Sequence, residues 1–238
     1  MIDMEIALPH SELSAALSVL FACGDGMRPI FISNEEDGPR LPVSDFDQVN
    51  ELIGSGSGSG SGVFLWSPEC FYDVSVSDSG AANIFASSDN FGEIDAIFSS
   101  MVELPIMFGY ACEHEERVHR NRIERRMDYG VHEAWVGRDF SRYLPGVYWL
   151  TAIPVEMQRR LDISIDNLRA LAVDVSLVGN RNWLLRLYSR PDQWRGEALK
   201  LDKWCSGSPG CFSKAVAEKA LNQASNFIEA SACIKEWR

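Results

Sequence analysis

Lysine is almost missing from this chain. All five lysines stand at or after Lys200, and the first 104 residues carry two basic side chains, Arg28 and Arg40, against 17 carboxylates. Residues 1–104 therefore hold a formal charge of −15 and residues 105–238 one of +3. Such a field repels phosphates, which argues against nucleic acid as a partner. With no glycine-flanked lysine, no phosphate-cradling loop of the G-x-x-x-x-G-K type exists either. The aromatic signature of RNA-binding sheets is also absent.

Paired cysteine motifs are missing as well. Cys23, Cys70, Cys112, Cys205, Cys211 and Cys233 contain no C-x-x-C spacing, the signature of zinc ribbons and of thioredoxin-like redox sites. Scattered like this, they read as mostly buried free thiols. One pair, Cys205 and Cys211 on either side of "SGSPG", is close enough to bridge a loop. No apolar run approaches the roughly 20 residues that span a bilayer. The start, "MIDMEIALPH", has no basic stretch leading into an apolar one. The expectation is a cytoplasmic protein with no membrane partner, no cofactor and no metal.

What is present is a core. Hydrophobic residues make up 46% of the 238, enough for one sizeable domain over residues 1–238. The sequence "GSGSGSGSG" over 54–62 interrupts it. Strict alternation puts every glycine on an even number and every serine on an odd one, which forbids both G-x-S-x-G and G-x-G-x-x-G. This segment is a random-coil spacer, read as an engineered replacement for a surface loop. Residues 1–53 are too few to fold alone and share a domain with the residues beyond the spacer.

Ahead of the spacer the pattern predicts a strand at Met4–Leu8, a helix at Ser11–Ala22, a strand at Pro29–Ser33 and a short helix at Asp45–Ile53. After it come strands in "VFLWS", "YDVSVSDS" and "ANIFAS", the second alternating Tyr72, Val74 and Val76 with Asp73, Ser75 and Ser77. Consecutive strands on short turns favour antiparallel pairing. A helix from Phe91 to Leu104 has Asp89 or Asn90 to cap it and Pro105 to stop it. The charged run "EHEERVHRNRIERRM" reads as a helix ended by Gly130, with Glu113–Arg117 and Glu116–Arg120 at i,i+4 spacing. Gly179 and Asn180 turn a hairpin whose strands point Val173, Val175 and Leu177 one way and Trp183, Leu185 and Leu187 likewise. Ser213–Trp237 reads as one amphipathic helix. The fold class is α+β: a mainly antiparallel sheet packed against several helices, with a long C-terminal amphipathic helix.

Catalytic constellations are scarce. "HEERVH" places His114 and His119 five apart, about 140° out of line on a helix, unlike the zinc-protease H-E-x-x-H. Glu115 and His119 are four apart and, with His132 or Glu133, make a metal-assisted hydrolase the alternative reading. A salt-bridged, solvated helix explains the same residues. Cys112, in the apolar "PIMFGYAC", reads as a buried thiol rather than a nucleophile. The stretch "HEAWVGRDFSRYLPGVYWLTAIP" interleaves Trp135, Tyr143, Tyr148 and Trp149 with Arg138 and Arg142. Those types are enriched at interface hot spots, although Trp149, in an apolar run, suits the core.

"RVHRNRI" together with "AWVGRDFSRYLPGVYWLT" resembles immunity proteins of bacterial polymorphic toxin systems, including those paired with type VI secretion effectors. The resemblance implies a cytoplasmic α+β protein, often acidic, that binds one cognate toxin and blocks it without catalysis. It carries no functional residue across. From charge and residue type, a basic effector would be steered by Glu35, Glu36, Asp37, Asp73, Asp78, Asp89 and Glu93, and anchored by Trp135, Arg138 and Tyr143. An effector-binding adaptor or chaperone is a third reading, which differs only in leaving the partner active.

Overall fold

The computed structural model describes the backbone of residues 1–55, 62–77, 80–127, 130–135, 139–208 and 210–237. Side chains of residues 55, 125–135, 227 and 234–237 fall outside the description too. In chain order the elements are β1 (Ile2–Pro9), α1 (Leu13–Phe21), β2 (Phe31–Ser33), β3 (Leu41–Pro42), α2 (Phe46–Ser55), β4 (Gly62–Trp66), β5 (Cys70–Val76) and β6 (Ala81–Ser88). Next come α3 (Phe91–Met101), β7 (Phe108–Glu113), α4 (His114–Asn121), β8 (Arg122–Met127), β9 (Gly130–Trp135), β10 (Leu150–Pro154), α5 (Val155–Arg160) and α6 (Ile165–Arg169). The chain closes with β11 (Asp174–Val178), β12 (Asn182–Arg186), α7 (Trp194–Gly207), α8 (Lys214–Gln223) and α9 (Phe227–Trp237). The fold is α+β.

Among the described residues, ten strands form one sheet in the order β11-β12-β10-β7-β1-β6-β5-β4-β2-β3. Its pairings are antiparallel throughout. Side chains alternate between two faces, so one row of cross-strand partners reads Ile32, Leu65, Tyr72, Ala86, Met4, Ala111. All of these are buried, as is the neighbouring row Val63, Val74, Ile84, Ile6. Helices α1, α2 and α3 pack on this face, α2 over β4 and α3 over β1 and β7. Each fully buried aliphatic side chain contributes roughly 1.5–3 kcal/mol. Gly109 lets α3 come close: a Cβ there would lie 3.2 Å from Ile6 Cγ1 and 3.3 Å from Phe98 Cε2.

The second face is covered over part of its width. Helix α4 and residues 139–149 lie over β7 and β1, where Tyr110 stacks on Tyr148 at 4.3 Å and Phe108 meets Phe140 at 5.3 Å. A smaller core, Ile123 and Tyr143 with Ala217, Leu221, Ala224 and Ala230, ties β8 to α8 and α9.

Most local expectations hold: the Asn90 side chain caps α3, accepting from the Glu93 amide. Gly179 and Asn180, at φ 56° and 57°, turn the β11–β12 hairpin. Three expectations need correction. The charged helix stops at Asn121, because Arg122 turns extended and the residues after it pair as β8 with β9 in a separate ribbon. Of its two i,i+4 pairs, Glu116–Arg120 forms, while Glu113 goes to Trp194 and Arg195 instead. The C-terminal helix is two helices, broken where Ala224 adopts ψ 130° and Asn226 accepts the Glu229 amide to start α9. Within the predicted spacer, Gly54 and Ser55 end α2 and Gly62 begins β4; residues 56–61 lie outside the description.

Candidate functional site

Where α4 ends its coverage, the second face of β4, β5 and β6 lies open among the described residues. Strand β4 is apolar on both sides: Val63 and Leu65 go to the core, and Phe64 and Trp66 are left half-buried on the outer side. Register brings Phe71 opposite Trp66 and Asp73 opposite Phe64 and Phe85. The rings associate rather than scatter. Phe64 stacks on Phe71 at 5.9 Å, Trp66 lies 5.8 Å from Phe71, and the exposed Phe31 continues the row on β2.

Two arginines frame this aromatic floor. Arg40 Cζ sits 4.2 Å over the Trp66 ring and Arg117 Cζ 4.8 Å over Phe85. Each such contact is worth about 0.5–1 kcal/mol at an exposed site. Arg117 is fixed by the covered half of the sheet. Its Nη1 donates to Asp3 Oδ2 at 3.2 Å and its Nε to the Tyr110 hydroxyl at 3.1 Å, while that hydroxyl donates to Glu5 Oε2 at 2.8 Å. Burial works against the Arg117 charge, but Tyr110, Asp3 and Glu5 outweigh it, and the guanidinium is held firmly cationic. Asp3 also accepts from Ser87 Oγ at 3.0 Å and lies 2.8 Å from His114 Nδ1.

A depression of about 260 Å³ runs between these groups, with Phe64, Phe71 and Phe85 as its floor and Glu5, Glu36, Asp73, Asn83 and Arg117 around it. It is shallow and mixed in polarity, unlike the enclosed apolar pockets that take small molecules. Aromatic rings with flanking charges and an arginine match the composition of protein-binding hot spots.

The sequence-derived candidates divide by position. Glu36 and Asp73 line the depression, and Glu35 and Asp37 flank Glu36 on an exposed loop. Asp89 lies beyond the end of β6, its carboxylate 2.9 Å from the Met1 amine. Glu93 is exposed in the first turn of α3, on the helical side of the sheet. Tyr143, expected as an anchor, is buried with its ring 4.8 Å from Phe212, and so belongs to the smaller core. Asp78, Arg138 and the side chain of Trp135 lie outside the described residues. Sequence reading missed Phe64, Trp66, Phe71 and Phe85. The signal for Phe64 and Trp66 was a period-two strand, β4, with apolar residues on both sides, one of which no element covers among the described residues.

The residues of the hydrolase reading are dispersed. Glu115 pairs with Arg195, His119 Nε2 lies 2.9 Å from Asp202, and the side chain of His132 is outside the description. Among the described residues no three histidine, cysteine or carboxylate side chains converge as a metal site. Behind His119, Glu116 is fully buried and accepts from Arg120 Nε at 2.9 Å, and Arg120 Nη1 donates to Asp202 at 2.5 Å. Burial pushes the Glu116 carboxyl up to about 7, with Arg120 opposing. No helix among the described residues is long and apolar enough to cross a membrane. Compared with protein-family models, curated proteins and solved structures, the chain matches none.

Proposed function

We propose that this chain is a toxin-neutralising immunity protein: a bacterial, cytoplasmic, non-catalytic partner that binds one cognate effector, of the type VI secretion class, and occludes its active site. The observation that carries this reading is the open aromatic face, four half-buried rings bordered by Glu36 and Asp73. Uncovered apolar surface of this kind is costly to leave in water unless a partner takes it. Four strands at about 4.8 Å and five residues at about 3.3 Å give a footprint of about 300 Å². A standard interface needs about 800 Å² per partner. The acidic loop carrying Glu35, Glu36 and Asp37 therefore belongs to the same contact, and it supplies steering toward a basic effector.

The test is a titration of the protein with the product of the adjacent open reading frame, read by size exclusion and by effector activity. A one-to-one complex at low salt with effector activity abolished is expected. Phe71→Ala weakens it at least about tenfold, as loss of a buried aromatic anchor does. The pair Glu36→Lys with Asp73→Lys slows association, whereas Glu93→Lys on the helical side leaves it unchanged. Absence of a complex at low salt, or a complex in which the effector stays fully active, overturns the reading.

A further inference from the structure

The ten-stranded sheet ends differently on its two sides. On one side stands β3, two residues long, and Pro42 in it has no amide to offer. On the other stands β11, five residues long, with no proline and Asp174 as its one charged side chain. Short length and proline protect a sheet edge against a further strand, and β11 has neither.

The register fixes which groups β11 turns outward. The Leu187 amide donates to Trp149 O at 2.9 Å and the Val155 amide to Arg181 O at 2.8 Å, so the odd-numbered residues of β12 bond toward β10. The even-numbered ones, Asn182, Leu184 and Arg186, are left for β11, where they meet Val178, Ser176 and Asp174. The amides and carbonyls of Val175 and Leu177 therefore point away from the sheet. Among the described residues no strand pairs with this edge, and the Leu177 side chain is exposed beside it.

We propose that a second copy of this chain closes the edge, β11 pairing antiparallel with β11 about a two-fold axis at Ser176. In that register the strand answers itself. Val175 of each copy stands opposite Leu177 of the other, exchanging both amide–carbonyl bonds and setting two apolar side chains against each other. Ser176 meets its own copy across the axis, in a pair without backbone bonds where the two hydroxyls bond to each other. Asp174 lies two residues from the axis, so the two carboxylates stand about 13 Å apart, beyond the screening length of about 8 Å at physiological salt.

Charge favours a second copy at this edge. Strands β10, β11 and β12 belong to residues 105–238, with a formal charge of +3, whereas residues 1–104, at −15, supply β1 to β6. Two acidic chains thus meet at the end where their repulsion is least. β11 stands five to seven strands from β6, β5 and β4, a distance of about 24–34 Å at about 4.8 Å per strand. Both aromatic faces therefore stay open in the pair. Five residues at about 3.3 Å, by about 10 Å across the sheet, cover about 170 Å² per copy, against about 800 Å² in a standard interface. The dimer is accordingly weak and set by concentration.

The experiment is sedimentation equilibrium of the full-length chain alone, so its outcome is separate from that of the effector titration. From about 10 to about 500 µM the mass is expected to rise from monomer toward dimer. Leu177→Lys places a charge on the edge and is expected to raise the dissociation constant about tenfold or more. A second arm fixes the register. On mild oxidation Ser176→Cys is expected to yield a dimer linked through the introduced sulfurs, because Cα atoms of such a pair lie about 4.5 Å apart and a disulfide spans about 4.4–6.8 Å. Asp174→Cys, about 13 Å from its copy, is expected to yield none. An unreduced digest read by mass spectrometry separates these links from any made by the native cysteines. A monomer at the highest concentration overturns the proposal, as does a dimer that Leu177→Lys leaves unchanged. So does cross-linking of Ser176→Cys no faster than that of Asp174→Cys.

Discussion

Asn182 holds the end of α3 to the sheet with one side-chain amide. Its Nδ2 donates to Val102 O at 2.7 Å and Leu104 O at 2.8 Å, in a place where the residue is 1% exposed. Truncation leaves two buried carbonyls without a donor, and Asn182→Ala is expected to cost about 2 kcal/mol in urea unfolding. Glu116 sets a pH dependence instead. Its folded carboxyl titrates at about 7 because of burial, against about 4.3 in an unfolded chain. The folded state thus keeps the proton longer. That contribution is full below about pH 4.3 and is lost as pH rises to about 7, with a limiting slope of about 1.4 kcal/mol per pH unit. Unfolding at pH 5, 6 and 7 is expected to show this slope in the wild-type chain and a flatter profile in Glu116→Gln. Neither residue was legible in advance. The i,i+4 spacing gave the Glu116–Arg120 pair, but nothing local says that this pair is roofed by the fold.

Elements were more legible than contacts, for a physical reason: capping and turn chemistry act over a few residues. Asn90 before α3 and the Gly179–Asn180 turn are cases in point. Where two local preferences competed, tertiary pairing decided. "RIERRM" has helical charge spacing, yet Ile123 gains burial against Ala217 and Leu221 only when the chain extends as β8. The tail misled in the opposite way: its apolar stripe runs on, but Asn226 and Glu229 begin a new helix within it, the Ser225 amide donating to Glu229 Oε2 at 2.6 Å. At this scale the joint between α3 and the sheet is the sensitive one. Gly109→Val puts a Cβ 3.2 Å from Ile6 Cγ1 and 3.3 Å from Phe98 Cε2 and adds two methyls to it. Overpacking of this sort typically costs about 1–3 kcal/mol, and a thermal melt is expected to show the loss.

Across the whole molecule the asymmetry of charge and of coverage coincide. The acidic residues 1–104 supply β1 to β6, and β4, β5 and β6 carry the open face. Association with a basic partner is therefore expected to slow by about tenfold or more as salt rises from 50 to 500 mM, with dissociation changed far less, as stopped-flow mixing would show. The charge imbalance could be counted from the sequence. The face could not, because which side of a strand goes uncovered depends on where α4 happens to stop. One consequence concerns biosynthesis. Strand β1, made first, becomes an interior strand whose two neighbours, Ala81–Ser88 and Phe108–Glu113, are translated much later. At about 5–20 residues per second, its second edge waits on the order of 5–20 s for a mate. During that interval the nascent polypeptide offers "IDMEIALP" to any holdase near the ribosome.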